Sequence, residues 1–577
     1  MIDRKKSTQK RGKAMKDNFS NGKKQVITGF TILVLATCPA YAAGPPNSGT
    51  LLESIKPPAT QQLEGKAPSI TVAGQQPLPQ EDSGQKIQVN DFRLSGEPPL
   101  PAADLLKLVK SQAGKETTLG ELNALAARVT QYLRQQGYLV AFAYIPAQDI
   151  VGGVVEIAVI PGKYGQTKIT GTAHIDPARL QGMLFAAKPG MIITREPLER
   201  ALLLINDLAG VSVKATLTPG ETAGTADLVL EAADTAKTSG AFYADNWGNR
   251  YTGQTRYGVQ LTVNNFSNTG DNFSLGGLTT GQGINNYNLG YSSLIGNDGA
   301  KFEIKYSHVG YTLGDTFADL GATGRAAITS YGVSYPLIRS RAFSLYGTFG
   351  VDKKHLRDDI TSTSSHSPKD SSLWNLGLSG NFADNWGGGG TNAFGLTHYQ
   401  GKLTIKDATA LANDTYNTAG DFSKTVFSYQ RQQYVAKNLN FNFNFIGQLA
   451  DKNLDSSEKL YLGGADGVRA FPQGEASGDE GYKLTGELRW RLDKYSTATN
   501  SLYLNGFYDY GSVIINKNPV GSGDNRRSLA GAGLGLMWTR EQNFAVRMDY
   551  AWKIGQATAT ADTDKNGRLW LQGVKYF

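Results

Sequence analysis

The sequence predicts a transmembrane antiparallel β-barrel of about sixteen strands, preceded by two small modules that each have β-α-α-β-β order. The barrel prediction rests on the alternation of apolar and polar residues after residue 238. It is clearest where Leu439, Phe441, Phe443 and Phe445 alternate with asparagines. Successive side chains of a strand point to opposite faces, so such a strand has one face for hydrocarbon and one for water. No apolar run in the sequence is long enough for a transmembrane helix, so we expect strands to cross the membrane.

The first 42 residues are predicted to be a secretory signal peptide. Nine basic residues and two aspartates give them +7 of the total charge of +8, an apolar stretch runs from Val26 to Thr37, and Ala40 to Ala42 form a small-residue cleavage site. The remainder is almost neutral, which argues against a nucleic-acid partner. The single cysteine, Cys38, lies in this segment, so the mature chain is expected to have no disulfide. Residues 35–38 loosely resemble a lipoprotein site, but threonine before the cysteine is unfavourable.

Residues 43–85 are predicted to contain a short N-terminal helix and a linker. Seven prolines make most of this stretch unable to bury a core. From Ser48 to Lys56, three apolar residues have helical spacing, and Ser48 or Thr50 is a possible N-cap. The segment is either a frayed turn in a disordered tail or a short mobile helix on a flexible tether.

Two modules with the same element order follow, at residues 86–162 and 163–233. Gly137 ends a helix in the first module, while Asp176-Pro177 and Thr194 begin helices in the second, as expected for residues at helix ends. In the first module the predicted strands are 87–94, 138–145 and 154–160, and the predicted helices are 102–112 and 119–136. In the second module the predicted strands are 167–170, 211–217 and 226–231.

The barrel is assigned to residues 238–577. An even number of strands returns the chain to the side on which it entered, so the modules and the C-terminus are expected in the periplasm of a bacterial cell. A soluble sandwich would also alternate, but it rarely lines its outer face with so many charges and its inner face with so many aromatic residues. We therefore expect an outer-membrane protein in contact with the lipid bilayer.

The sequence predicts no enzyme, no catalytic residue, no cofactor and no metal site. It has no zinc-protease, serine-hydrolase or phosphate-loop motif, and its five histidines are scattered. Gly531, Gly533 and Gly535 superficially resemble a dinucleotide-binding motif. They alternate within a strand pattern and lack a βαβ setting, so we predict that they form barrel wall.

A long connection at residues 450–481 is the candidate functional segment, because loops of this length are usually functional or disordered. Its apolar residues around Gly463-Gly464 favour an ordered loop. Alternation in the strand near residue 507 turns Phe507 and Asp509 towards the lumen. A carboxylate there is costly unless it is paired, so Arg469 is its predicted partner if the loop folds inwards.

The motif in this loop resembles a known family signature. Val468, Arg469, Ala470 and Phe471 are similar to the lumen-loop motif of two-partner secretion outer-membrane transporters of the TpsB type, the haemolysin and adhesin secretion and activation proteins. The family often has glycine where Ala470 stands. The C-terminal Phe577 is kept, although Lys575 interrupts the usual aromatic alternation.

Three further segments carry the resemblance, in the same order along the chain. Phe507, Asp509 and Gly511 are similar to the strand motif of the wider outer-membrane assembly-factor superfamily. Residues 245–253 resemble the first-strand block of the secretion branch. Residues 145–153 resemble the end of the first polypeptide-transport-associated (POTRA) module. The resemblance therefore covers nearly the whole mature chain.

The resemblance implies a pore that recognises a large partner exoprotein by its N-terminal secretion domain and exports it from the periplasm to the cell surface. POTRA modules would bind the partner, offering strand edges to it, and barrel-assembly machinery would insert the barrel. A haemolysin, an adhesin or another exoprotein fits equally well. The alternative is a barrel-assembly insertase of the same superfamily, which typically has more modules and no mobile N-terminal helix. A passive porin or a barrel enzyme would explain neither the modules nor the loop.

Overall fold

The computed structural model describes residues 45–57, 69–73 and 84–577. The predicted signal peptide, residues 1–42, and the larger part of the predicted linker lie outside the described residues. The described chain forms a short helix, two mixed α/β modules and a closed barrel. No helix in these ranges is both long and apolar enough to cross a membrane.

The N-terminal helix is short, as the apolar spacing predicts. It consists of α1 (Ser48–Leu51) and a 3-10 turn (Leu52–Ile55). Its N-cap is Asn47, so the prediction of Ser48 or Thr50 is wrong. The Asn47 side chain accepts from the Thr50 backbone N–H at 3.0 Å, and the Thr50 hydroxyl accepts from the Asn47 backbone N–H at 2.9 Å. These two reciprocal hydrogen bonds form a capping box, with Thr50 three residues after the cap.

The first module packs two helices against a small sheet. Its elements are β2 (Lys86–Val89), β3 (Asp91–Gly96), α2 (Ala102–Lys107), β4 (Lys115–Thr118), α3 (Leu119–Gln135), β5 (Phe142–Tyr144) and β6 (Val154–Ile160). In the sheet, β3 is parallel and β5 antiparallel to β6. The predicted single strand 87–94 is two strands, because the N–H groups of both Asn90 and Asp91 donate to the Gly153 carbonyl. The β2 strand pairs with β4, which the sequence analysis did not predict.

The second module has a four-stranded sheet with the order β1-β8-β9-β7. Its own elements are β7 (Lys163–Gly171), α4 (Pro177–Met183), α5 (Arg195–Asn206), β8 (Val211–Pro219) and β9 (Thr225–Asp234). The additional strand, β1 (Ile70–Val72), comes from the linker and pairs in parallel with β8. Asp176 caps α4 as predicted, by accepting from the Ala178 N–H at 2.9 Å.

The barrel has sixteen antiparallel strands and closes between its first and last strands, which confirms the predicted fold class. The strands and one loop hairpin are β10 (Thr238–Asp245), β11 (Arg256–Asn264), β12 (Asn272–Thr279), β13 (Ile284–Ile295), β14 (Ala300–Thr312), β15 (Ala322–Arg339), β16 (Phe343–Ile360), β17 (Ser365–Asp384), β18 (Gly390–Ile405), β19 (Gly420–Ala436), β20 (Leu439–Ala450), the loop hairpin β21 (Leu460–Tyr461) and β22 (Ser477–Gly478), β23 (Glu480–Arg491), β24 (Asn500–Ile514), β25 (Arg526–Arg540), β26 (Phe544–Lys553) and β27 (Gly567–Tyr576). A short helix, α6 (Ala408–Ala412), lies between β18 and β19.

The outer and inner faces of the barrel wall follow the alternation of apolar and polar residues along each strand. In β24, Leu504 and Tyr508 are exposed on the outside, whereas Asn505, Phe507 and Asp509 are buried on the lumen side. Outward aromatic residues contact one another across strands: the rings of Phe427 and Tyr482 each lie about 6 Å from that of Phe445. This arrangement suits a barrel surrounded by lipid.

The second module is docked on the turns at one end of the barrel. Arg339 makes a bidentate ion pair with Asp207 at 2.7 and 2.8 Å. Arg200 donates to the Pro336 carbonyl at 2.9 Å. These contacts hold the module against the end of β15 and the turn that follows it.

Candidate functional site

The connection between β20 and β23, residues 451–479, folds into the barrel and is called the lumen loop below. The predicted motif, residues 468–471, lies between the two strands of the β21-β22 hairpin. Leu462, Val468 and Phe471 are fully buried and pack with the wall residues Phe507 and Leu529. The loop therefore has an apolar core shared with the inner wall of the barrel.

Glycines allow this close approach. Gly464 has φ +121, a conformation that L side chains rarely adopt. A Cβ on Gly463 would lie 2.6 Å from the Pro472 carbonyl oxygen, and one on Gly511 would lie 2.8 Å from the Leu462 Cδ2 atom. The glycine of the strand motif thus leaves the space in which the loop is seated.

Arg469 is the central residue of the loop and is only 2% exposed. Its Nε and Nη2 donate to the two carboxylate oxygens of Asp509 at 2.8 and 2.9 Å, and its backbone N–H donates to the same carboxylate at 3.1 Å. Thr485 donates a further hydrogen bond to Asp509 at 2.9 Å. Asp509 is 0% exposed, so this bidentate pair is fully removed from solvent.

Two more buried carboxylates surround Arg469. Its Nη1 donates to Glu487 at 2.9 Å and to Asp549 at 3.1 Å. Each of these acids also has an arginine of the wall: Arg489 donates to Glu487 at 2.6 Å, and Arg547 to Asp549 at 2.8 Å. These six residues, with Arg469 and Asp509 included, form the arginine cluster. Its three positive and three negative charges balance formally.

Apolar and small residues complete the seat of Arg469. Its guanidinium carbon lies 3.3 Å from the ring centroid of Phe507, and Trp570 donates to the Arg469 carbonyl at 2.7 Å. A Cβ on Gly531 would lie 2.6 Å from that of Ala470. The alternating glycines of β25 lie in the barrel wall, as predicted, and leave room for the loop.

The structure brings together the residues that the sequence analysis singled out, because Arg469 contacts both Phe507 and Asp509. Five residues of the site were not predicted: Glu487, Arg489, Asp549, Arg547 and Trp570. Alternation alone places such residues on the lumen face, but it does not give the register that makes them neighbours. The sequence did contain one usable signal, because Glu487 and Asp549 are acidic residues on strand faces that point to the lumen.

Four buried carboxylates hold the lumen loop near its first residues, called the loop base below, and near its last residues. They pair with basic side chains as follows: Asp455 with Lys369 at 2.8 Å, Glu458 with Lys424 at 3.0 Å and with Lys354, Asp479 with Lys459 at 2.8 Å, and Glu475 with Arg527. Within the described ranges, no group of histidine, cysteine and acidic side chains has an arrangement that could hold a metal ion.

Residues 48–55, called the plug helix below, lie inside the lumen and are held at both ends. At the N-terminal end, Asp358 accepts from the Ser48 backbone N–H at 2.7 Å and from its hydroxyl at 2.9 Å. At the other end, Arg256 donates to the Ser54 carbonyl at 2.7 Å while it pairs with Asp245 at 2.7 and 2.8 Å. The reading of this segment as a frayed turn in a disordered tail is therefore wrong.

The plug helix also contacts the lumen loop. The Ser456 hydroxyl donates to the Asn47 side chain at 2.8 Å, and Gly49 packs closely against Ser456 and Ser457. Leu51, only 1% exposed, belongs to an apolar cluster with wall residues such as Tyr311 and Leu356. Helix and loop therefore fill adjacent parts of the same lumen.

The chain matches the family described as "Haemolysin secretion/activation protein ShlB/FhaC/HecB" over residues 224–538, more than half its length. The chain belongs to this family. Residues 87–162 match the "POTRA domain, ShlB-type". The protein is thus an outer-membrane transporter of two-partner secretion, and its partners are exported exoproteins.

Two relatives of this transporter match over most of their length. It is 29% identical to the heme/hemopexin transporter protein HuxB of Haemophilus influenzae over 487 residues, which cover 82% of this chain and 84% of that protein. It is 24% identical to the outer membrane transporter CdiB of Escherichia coli over 446 residues, which cover 74% of this chain and 73% of that protein.

Solved structures share the fold of the transporter. CdiB from E. coli superposes with a TM-score of 0.68 at 21% identity, over 86% of this chain and 92% of that chain. BamA from Haemophilus ducreyi, which lacks POTRA domains 1–3, superposes with a TM-score of 0.51 at 15% identity, over 85% of this chain and 100% of that chain. The likeness to BamA is one of fold. The family match shows that the chain is a transporter that exports exoproteins, and not a barrel-assembly insertase, which was the alternative prediction.

Proposed function

We propose that the exoprotein leaves through the barrel lumen, which the plug helix and the lumen loop together close at rest. The observation that supports this most is the double obstruction. The plug helix is held by Asp358 and Arg256, and the loop beside it is held by the buried Arg469. Both must move before a polypeptide can pass.

In this proposal, Arg469 keeps the lumen loop closed, and Val468, Ala470 and Phe471 seat it against the wall. Phe507, Asp509 and Gly511 are the receiving surface. Buried ion pairs are suitable for holding a loop that must open. When the loop moves out into a water-filled lumen, the charged groups become hydrated, and this offsets part of the energy lost when the pairs separate.

The proposed role of residues 86–162 and 163–233 is to bind the N-terminal secretion domain of the exoprotein in the periplasm. In the first module, β5 pairs with β6 alone among the described strands, and its Phe142 and Tyr144 are 36% and 43% exposed. An edge strand with exposed apolar side chains suits an extended guest segment. We further propose that barrel-assembly machinery inserts the barrel into the outer membrane.

A reversible cross-link between the plug helix and the lumen loop tests the proposed closure. Asn47→Cys with Ser456→Cys replaces two side chains that touch at 2.8 Å. The oxidised protein is expected to stay closed, with rare channel openings in planar bilayers. It is also expected to lose export of its partner exoprotein, and a reducing agent should restore both export and channel opening.

Each single cysteine variant serves as the control, because it carries the same substitution without the bond. Full export by the oxidised double variant, with the bond verified by mass spectrometry, would refute the proposed closure.

A further inference from the structure

The linker strand β1 occupies an edge of the second module. Its residues pair with β8 in parallel, Ile70 opposite Ala215 and Val72 opposite Leu217. The Ala215 N–H donates to the Ser69 carbonyl at 3.1 Å, and the Ala73 N–H donates to the Leu217 carbonyl at 2.9 Å. Backbone pairing of this kind is how an extended guest peptide adds to a sheet.

Side chains strengthen the attachment. Ile70 and Val72 are half-buried and pack against the apolar core of the second module, while Thr71 between them is exposed. The edge therefore accepts apolar residues at alternate positions. An extended segment of another protein with this pattern fits the same place.

The edge of β8 has no further free stretch of backbone to which a guest strand could pair beside β1. On one side of β1, the Val213 N–H is already taken by the Asn206 side chain at 2.9 Å. On the other side, β8 ends at Pro219, which has no N–H to donate. A guest strand and β1 must therefore exclude each other.

Docking of β1 also shortens the tether of the plug helix. From Pro57 to Ser69 the chain has twelve Cα steps, so it reaches at most ~42 Å in any conformation. Once β1 is released, the nearest fixed strand is β2, and from Pro57 to Lys86 the reach grows to ~100 Å. Release of β1 thus more than doubles the reach of the tether that joins the plug helix to the modules.

We infer that β8 is a binding site for an extended segment of the exported partner, that β1 covers this site at rest, and that exchange of the two lengthens the tether of the plug. This inference rests on the proposed function, because it takes the exoprotein as the guest. The guest is an unfolded stretch with apolar residues at every second position, added parallel to β8.

A disulfide between β1 and β8 tests the exchange. Thr71 lies opposite Thr216, and neighbouring strands bring such Cα atoms within the range that a disulfide spans. Oxidised Thr71→Cys, Thr216→Cys transporter is expected to lose export and to open less often in planar bilayers than the same protein reduced. In the opposite direction, Thr71→Pro weakens the pairing and is expected to raise the opening frequency.

The matched control is Thr170→Cys with Glu231→Cys, an exposed pair that joins β7 to β9 and leaves both β1 and β8 free. It is expected to export equally when oxidised and reduced. Equal export by the oxidised and reduced Thr71-Thr216 variant would overturn the inference. Absence of export by the unmodified transporter would instead count against the proposed function, and the bilayer recordings, which need no exoprotein, would still report on β1.

Discussion

Removal of Arg469 tests the arginine cluster most directly, because this side chain contacts all three buried carboxylates. In Arg469→Ala, Glu487 and Asp549 keep their wall arginines, but Asp509 loses its only charged partner and keeps two neutral donors, the Thr485 hydroxyl and the backbone N–H of residue 469. A buried charge that loses its partner costs ~3 to 5 kcal/mol. Since every 1.4 kcal/mol is a factor of ten, ~3 kcal/mol lowers the closed-to-open ratio of the loop about a hundredfold.

Asp509→Asn is expected to be milder, because Arg469 keeps Glu487 and Asp549, and loss of one charged hydrogen-bond partner costs ~1 to 3 kcal/mol. Arg489→Ala is the matched control. Arg489 belongs to the same cluster but is one-third exposed and contacts Glu487 alone, so at most ~1 kcal/mol is expected.

The open fraction in single-channel recordings measures these effects, and heat-modifiability on gels confirms that each barrel is folded. Arg469→Ala should give the largest open fraction and lose export. The reasoning is refuted if Arg489→Ala opens the channel as much as Arg469→Ala. It is also refuted if Arg469→Ala and Asp509→Ala act additively in a double-mutant cycle, since the members of one ion pair should couple.

The plug helix, the modules and the glycine wall each give a further prediction. Arg256→Ala and Asp358→Asn remove the anchors at the two ends of the plug helix, so more frequent openings are expected in bilayer recordings; unchanged openings would mean that the anchors do not hold it. Deletion of residues 86–162 should stop export, measured as exoprotein in the medium, while a heat-modifiable barrel persists; normal export would contradict a recognition role. Gly531→Ala adds a Cβ 2.6 Å from that of Ala470 and should raise the open fraction. Ala470→Gly in the same chain should restore closure, and no rescue would mean that this contact does not seat the loop.

Local patterns predicted most of the fold. The alternation in β20, β23 and β24 identified the strands and their lipid faces, because strand geometry fixes which side chains share a face. Breaks that depend on a distant partner were not visible in the sequence. Asn90 interrupts a strand only because Gly153, far along the chain, offers its carbonyl. The β1 strand has three residues in a proline-rich stretch, and β8 alone gives it a partner.

The site was predictable in part for the same reason. The cost of a bare carboxylate in the lumen pointed from Asp509 to Arg469 without any knowledge of register. Glu487 and Asp549 lie on other strands, and only the seated loop brings Arg469 to both of them. The pair of Arg469 and Asp509 was therefore predictable from the cost of a buried charge, whereas the contacts with Glu487 and Asp549 depend on where the loop is seated.

The contacts between the obstructing segments give the proposed opening an order. The plug helix lies against the loop at Ser456 and Ser457, close to Glu458, whose ion pairs with Lys354 and Lys424 hold the loop base. The motif end of the loop is held separately by the arginine cluster. While the plug is in place, the loop base is covered on that side, so the plug must leave before the base can move. If the guest strand releases β1, the longer tether permits that first step, and the arginine cluster is then the last restraint on the pore.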